Sequence, residues 1–239
     1  MTAGRTARAI ARDELTRRIK DEARRQLAHA GADGLSLRAV ARELGMVSSA
    51  LYRYFPSRDD LLTALITDAY NSLGDAVEAA DTARPQEQPR TRWREVCRAA
   101  RTWAREHPHE YALVYGSPVP GYQAPQTTIA PASRVPLTLL GVIRDGWTAG
   151  TVPDEPLSPL LAEQVRTLTD LTVPGVPGPV MTRGLIAWTQ LFGMISFELF
   201  GQLVGSVDPT DEFFDHAVEQ MADYLGLATT RPPPVDTDG

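Results

Sequence analysis

Residues 36–56 read SLRAVARELGMVSSALYRYFP, and this stretch decides the fold. Ser36 is a good helix N-cap, because its hydroxyl can accept from a free backbone N–H in the first turn. Leu37, Val40, Ala41 and Leu44 follow at helical spacing and make one apolar face. Gly45 falls where that helix must stop and supplies the left-handed conformation of a C-cap. The small Ala41 lets a second helix cross closely, and Val47 is expected to anchor the turn. Ser48 is expected to cap the next helix, with Leu51 and Phe55 returning to the core at i, i+4. Pro56 ends it, since the residue before a proline is pushed out of the helical region. Ser57 then opens a further helix with Asp60 at the capping-box position. Leu61, Leu62, Leu65, Ile66, Ala69 and Leu73 are its buried stripe.

Two short helices joined by a sharp turn make a helix-turn-helix, whose second helix lies in the DNA major groove. That helix carries Ser48, Ser49, Ala50, Tyr52, Arg53 and Tyr54. Ser49, Ala50 and Arg53 are expected nearest base edges, with Tyr52, Tyr54 and Arg58 against phosphates. Ser36 and Arg38, opening the first helix, complete the expected DNA-binding set. The partner is double-stranded DNA with a palindromic operator.

Charge distribution supports this independently. Residues 1–60 hold 12 Lys or Arg against 8 Asp or Glu, so the net −6 of the chain hides a basic head on an acidic body. A basic head attracts phosphates. Arg5, Arg8, Arg12, Arg17 and Arg18 precede or open the first helix. They read either as a flexible arm that follows a groove or as a tail with no defined contact. Helix is expected from about Leu15, with Leu15, Ile19, Ala23 and Leu27 facing the helix-turn-helix.

The segment from Ser36 to Leu62 resembles the DNA-binding domain of the tetracycline-repressor (TetR) family of bacterial transcriptional regulators. The resemblance rests on Ala41 to Gly45, on Leu51-Tyr52-Arg53-Tyr54-Phe55, and on Ser57-Arg58-Asp59-Asp60-Leu61. Ser49-Ala50 stands where a small or Gly residue is common, and Arg58 where Lys is common. Both keep the chemistry.

The rest of the chain reads as helices broken by Pro-rich loops: 90–106, 110–115, 134–148, 157–171, 179–204 and 208–225. Asp208 is the expected cap of the last, with Pro209 at its first position. No run of alternating strands appears, so the expected fold is all-α. The expected organisation is a helix-turn-helix domain over residues 1–60, a larger ligand-binding and dimerisation domain over 61–225, and a disordered tail over 226–239. Met1 to about Thr6 is expected to be disordered as well.

The helix from about Met181 to Val204 is apolar nearly all round, so it should be buried on more than one side. One stripe is Leu185, Trp188, Phe192, Ile195, Leu199 and Leu203; another contains Gly193, Phe197 and Gly201. This predicts a homodimer with close helix approach, in which the helix over 157–171 takes part. In the resembling family a late helix pair from each subunit forms the dimer core.

The loop from Gly116 to Pro125, with Trp188 and Gly193, resembles the C-terminal domain of a TetR subgroup called the WHG type, here without its His. The resemblance implies a small-molecule pocket and an effector that releases the protein from DNA by changing the spacing of its two heads. Trp103, Tyr111, Tyr115, Trp147, Trp188 and Phe192 are the candidate ligand-binding residues, with Tyr122 nearby, and they favour an apolar or aromatic effector. Trp147 ranks above Trp103, because it closes a helix before the Gly150 loop. Glu198 is the odd residue on an apolar helix. It reads as a ligand contact, as the partner of an Arg across the dimer, or as a rim carboxylate in water.

Enzyme readings fare poorly. His107-Pro108-His109 has no neighbouring zinc-ligand spacing and reads as a turn with exposed imidazoles. Cys97 alone on an apolar face reads as a buried small hydrophobe. No cofactor or metal is expected. No leader or membrane-spanning run is legible, so a cytoplasmic protein is expected. The reading is a ligand-responsive transcriptional regulator, most often a repressor. A ligand-blind DNA-binding or interaction protein with the same head is the alternative.

Overall fold

The computed structural model describes residues 6–83, 89–147 and 156–227. Among the described residues there are ten α-helices, one 3-10 turn and no strand, as the all-α expectation requires. The helices are α1 Ala7–Ala30, α2 Leu37–Glu43, α3 Ser48–Leu51, α4 Arg58–Thr82, α5 Pro89–Glu106, α6 Pro108–Tyr115, α7 Ile129–Gly146, α8 Pro159–Thr172, α9 Gly178–Leu199 and α10 Asp211–Tyr224.

The chain forms two compact units, Met1–Gly74 with Ala104–Arg134, and Asp75–Trp103 with Val135–Gly239. The division does not fall at residue 60. Leu61, Leu62, Leu65 and Ile66 of α4 complete one core with Ile19, Ala23 and Leu27 of α1, Leu37, Val40 and Ala41 of α2, and Leu51 of α3. A boundary at residue 60 would cut that core. Leu113 and Val114 of α6, with Val119 and Tyr122 of the loop after it, pack against the same core. The Tyr122 and Thr63 hydroxyls are hydrogen-bonded at 2.9 Å.

Local chemistry sets the ends of the head's helices. Helix α1 begins at Ala7 rather than near Leu15, and the Thr6 hydroxyl accepts from the Ala9 N–H at 3.3 Å. The Ala and Arg residues of this stretch are strong helix formers. Arg8 and Arg12 are therefore helical rather than part of a flexible arm, and Arg5 lies outside the described residues. Ser36 caps α2 by accepting from the Ala39 N–H at 3.4 Å. Gly45 sits at φ +65°, where a side chain would be strained.

The turn differs from expectation. Val47 does not anchor it: Val47 is 71% exposed. The turn is closed by the backbone, the Met46 N–H donating to the Ala41 carbonyl at 2.8 Å. Val47, not Ser48, holds the cap position of α3. At the next helix the capping box forms in a compact version. Ser57 Oγ accepts from the Asp60 N–H at 3.1 Å and donates to the Asp60 carboxylate at 2.7 Å.

In the second unit, Trp93 of α5 is fully buried and its indole N–H donates to the Val218 carbonyl of α10 at 3.2 Å. Arg92 is buried between the carboxylates of Asp81 and Asp145, at 2.7 and 2.9 Å. Helix α9 buries Val180, Met181, Gly184, Ala187, Leu191 and Ile195. A Cβ on Gly184 would meet the side-chain tips of Leu140 and Ile143 of α7 at 3.1 and 3.2 Å, so these two side chains pack directly onto α9 there. Helix α9 stops at Leu199 rather than Val204, and Gly201 takes a left-handed φ of +77° just beyond. Helix α10 starts at Asp211, after the expected Asp208-Pro209 start, because Asp211 and Glu212 supply the carboxylates of its first turn. The chain is packed through Leu227, which is buried and whose carbonyl accepts from Arg90 at 3.1 Å. The expected tail therefore does not begin at residue 226. Residues 1–5 and 228–239, also expected to be disordered, lie outside the described residues.

Candidate nucleic-acid interface and effector-binding residues

Helix α2 packs on α1 and on α3, with Leu37, Val40, Ala41 and Leu51 in the shared core. That leaves the opposite sides of α2 and α3 in solvent. Arg38, Ser49, Tyr52 and Arg53 are exposed, and Ser36, Ser48, Ala50 and Tyr54 are half-buried. Ser36, Arg38, Tyr52 and Arg58, together with Ser57, line one surface cleft of about 340 Å³. Ser49 and Arg53 lie outside that cleft, on the free end of the motif.

Charge pairing separates the basic residues into two groups. Lys20 and Arg24 hold Asp68 at 2.7 Å each, and Arg24 also reaches Glu110 at 2.9 Å. Arg17 is clamped by Glu14 and Asp21 at 2.6 and 2.9 Å. Among the described residues no carboxylate pairs with Arg8, Arg12, Arg18, Arg38 or Arg53. These guanidiniums keep their full charge for an outside anion.

Arg58, expected against phosphate, also holds the head's own backbone. Its Nη2 donates to the Ala32 carbonyl at 2.7 Å and its Nε to the Leu35 carbonyl at 3.3 Å. It braces the loop that leads into α2. The sequence pattern gave no sign of this, because the acceptors are backbone atoms more than twenty residues away. Val47 stands exposed directly before α3. It is the kind of apolar side chain that packs on a thymine methyl.

The six candidate effector residues divide between the two units. Tyr111 and Tyr115 belong to the first unit, stacked at 5.2 Å between ring centroids, with Tyr70 edge-on to Tyr115 at 6.3 Å. Burial pushes the Tyr115 phenol well above its usual range. Trp103, Trp147, Trp188 and Phe192 belong to the second unit. Trp103 and Phe192 are buried, and Trp147 and Trp188 half-buried. The Trp188 indole nitrogen is buried without an acceptor. The Gly150 loop lies outside the described residues.

Glu198 is not a rim carboxylate in water: its side chain is only 14% exposed. Arg101 of the same chain holds it with two hydrogen bonds, and Thr210 adds a third at 3.0 Å. Burial pushes the Cys97 thiol well above its usual range. His107 Nδ1 lies 3.0 Å from the Glu110 carboxylate. Among the described residues no cluster of metal-ligating side chains is present, and no helix is long and apolar enough to cross a membrane.

A capped helix-turn-helix with unneutralised guanidiniums on its free face, followed by a larger helical unit, defines a DNA-binding regulator. Residues 19–65 match the family described as bacterial regulatory proteins, tetR family, and residues 93–221 match the tetracyclin repressor-like C-terminal domain. The chain belongs to the TetR family of transcriptional regulators. It is 41% identical over 205 residues to HTH-type transcriptional regulators of Mycobacterium tuberculosis (Rv1816) and Mycobacterium bovis (Mb1846), covering 82% of this chain and 85% of each relative. A crystal structure of the regulatory protein SCO4313 superposes with a TM-score of 0.75 at 32% identity, covering 90% of this chain and 98% of that one. The protein is thus a DNA-binding transcriptional regulator and not an enzyme.

Proposed function

We propose that this regulator is a homodimeric repressor that leaves its operator when an apolar or aromatic effector binds. Arg38, with Ser36 and Tyr52, holds phosphate at the cleft beside α2, and Tyr54 is a further phosphate contact. Ser49, Ala50, Arg53 and Val47 face base edges, with Ser48 opening the reading helix. The observation that carries this reading is the set of unpaired guanidiniums, Arg38 and Arg53, on the free face of the motif.

The dimer reading rests on α9 and α8. Ile186, Phe197, Phe200 and Val204 are exposed large apolar side chains, as are Leu160, Leu161 and Leu171. Ile186, Gln190, Gly193 and Phe197 follow one another within α9 at spacings of four, three and four, the 3.5-residue period of a helix seam. A Cβ on Gly193 would meet nothing within 4 Å, which leaves room for a second helix. A two-fold dimer presents two reading helices to a palindrome.

The effector reading rests on the second unit. Trp188 offers a buried indole donor without an acceptor, and buried polar groups ordinarily find a partner. An effector must bind the two states of the dimer unequally, with a coupling of about 1–3 kcal/mol. The test is to select an operator from random duplexes with the full chain, then screen small apolar and aromatic molecules for operator release and raised Tm. Arg53→Ala should cost about 1–3 kcal/mol on the selected operator and relax sequence preference there. Tight binding that no molecule in the screen reverses favours the ligand-blind alternative.

A further inference from the structure

The first two turns of α1 carry an exposed basic stripe that the motif does not use. Arg8 and Arg12 stand one turn apart on one face of the helix and are both exposed. The Arg12 guanidinium lies over the Tyr54 ring, 5.3 Å from its centroid. Tyr54 is half-buried against the head's core and lies in the turn three residues past the end of α3. The contact therefore fixes Arg12 beside the end of the reading helix.

Its neighbours sharpen the point. Arg17, Lys20, Arg24 and Arg25 of the same helix each hold at least one carboxylate. Arg8 and Arg12 hold none among the described residues. Arg18 is also unpaired, but it lies about a third of a turn off the stripe. A guanidinium lying over an aromatic face keeps its in-plane N–H donors for an anion. The ring also restricts the rotamers of a long side chain, which lowers the entropy lost on contact.

We infer that Arg12, positioned by Tyr54 and continued by Arg8, binds the sugar-phosphate backbone of duplex DNA beside the segment read by α3. The stripe extends the footprint of each head by one helix face. This rests on the proposed orientation of α3 toward the groove. Tyr54 acts here as a positioning residue, in addition to any hydrogen bond from its own hydroxyl.

The experiment uses the full chain and a selected duplex of about 30 base pairs, long enough for two half-sites and flanks. Affinity is measured by fluorescence anisotropy across a salt series, with the helical fold of each variant checked by circular dichroism. Arg12→Ala should flatten the slope of log affinity against log salt by about 0.9 for each head, one phosphate contact apiece. Arg8→Ala should flatten it in the same direction. Arg12→Lys should keep the slope. Arg17→Ala, which removes a cation paired with Glu14 and Asp21 on its own helix, should leave the slope close to wild type. Arg12→Ala and Tyr54→Leu should be non-additive in affinity, as expected for contacting residues. A wild-type slope for Arg12→Ala overturns the inference, as does an equal loss for Arg17→Ala. If Arg53→Ala still weakens binding in that case, the DNA-reading assignment of α3 survives. If Arg53→Ala and Arg12→Ala are both silent, the inference and the orientation of α3 fall together.

Discussion

Arg101 grips Glu198 through two parallel hydrogen bonds, Nε to Oε2 at 2.7 Å and Nη2 to Oε1 at 2.8 Å. The pair joins α5 to the last turn of α9. Asp211 reaches the same guanidinium at 2.7 Å, and Phe214 lies under it at 4.7 Å. Arg101 is only 8% exposed, so its charge depends on these partners. Glu198→Ala should destabilise the protein by about 3 kcal/mol, the lower end for one partner removed from a buried pair, because Asp211 still neutralises part of the charge. The double variant Arg101→Met/Glu198→Leu should recover much of that loss. Urea denaturation midpoints check both, and an unchanged midpoint for Glu198→Ala would show the pair to be dispensable.

Arg58 and Arg38 should respond differently to substitution. Arg58→Ala removes two donors to backbone carbonyls, and should cost about 1–3 kcal/mol of stability. Its effect on DNA affinity should be similar for every sequence, with little change in salt slope. Arg38→Ala should leave the melting temperature in place and flatten the salt slope by about one unit per head. Melting curves and salt-dependent titrations of both variants separate bracing from phosphate contact.

The α9 seam makes an assembly prediction. Phe197 is 55% exposed in the single chain. Phe197→Glu would bury a charge in a helix–helix contact, and Gly193→Leu would fill the open space at the crossing. Each should move the protein from dimer to monomer at micromolar concentration in sedimentation. A wild-type chain that sediments as a monomer while still binding a palindrome tightly would refute this assembly.

Acid should act on the carboxylates of the second unit. Burial of Asp145 opposes its ionisation, but hydrogen bonds from Arg144 and Arg92 outweigh it and hold the carboxyl below the usual range. A depressed folded pKa adds stability that is present above the unfolded value of about 3.9 and is lost as pH falls through the folded one. Urea midpoints should therefore drop below about pH 4, and Asp145→Asn should make that drop shallower while lowering stability at neutral pH. An identical acid limb for the variant would remove Asp145 from the account.

The helix-turn-helix was legible because its signals are local. Ser36, Gly45 and Ser57 mark helix ends by chemistry acting within three or four residues. The apolar positions from Leu37 to Leu73 repeat at helical spacing, and that period alone fixes which face is buried. The candidate base-reading residues Ser49 and Ala50 follow from the position of the short second helix, whereas Arg53 stands in the turn two residues beyond its end at Leu51. The roles of Glu198 and Arg58 were not legible. Each depends on a partner far along the chain, and sequence spacing carries no information about which distant group arrives. The unit boundaries were hidden for the same reason, since α6 and Tyr122 join the head's core through contacts made across more than forty residues.

The sequence by itself determined an all-α chain, a helix-turn-helix between Ser36 and Phe55, and a basic head on an acidic body. Periodicity, capping and charge count are properties of neighbouring residues, so they survive without coordinates. Only the tertiary structure decided which cations remain available to DNA. Lys20, Arg24 and Arg58 read like Arg12 and Arg38 in the chain, yet the first three are held by carboxylates or carbonyls more than twenty residues away and the last two are not. A charge becomes a binding group only when folding leaves it without an internal partner, and that is settled by the packing of helices, not by their order.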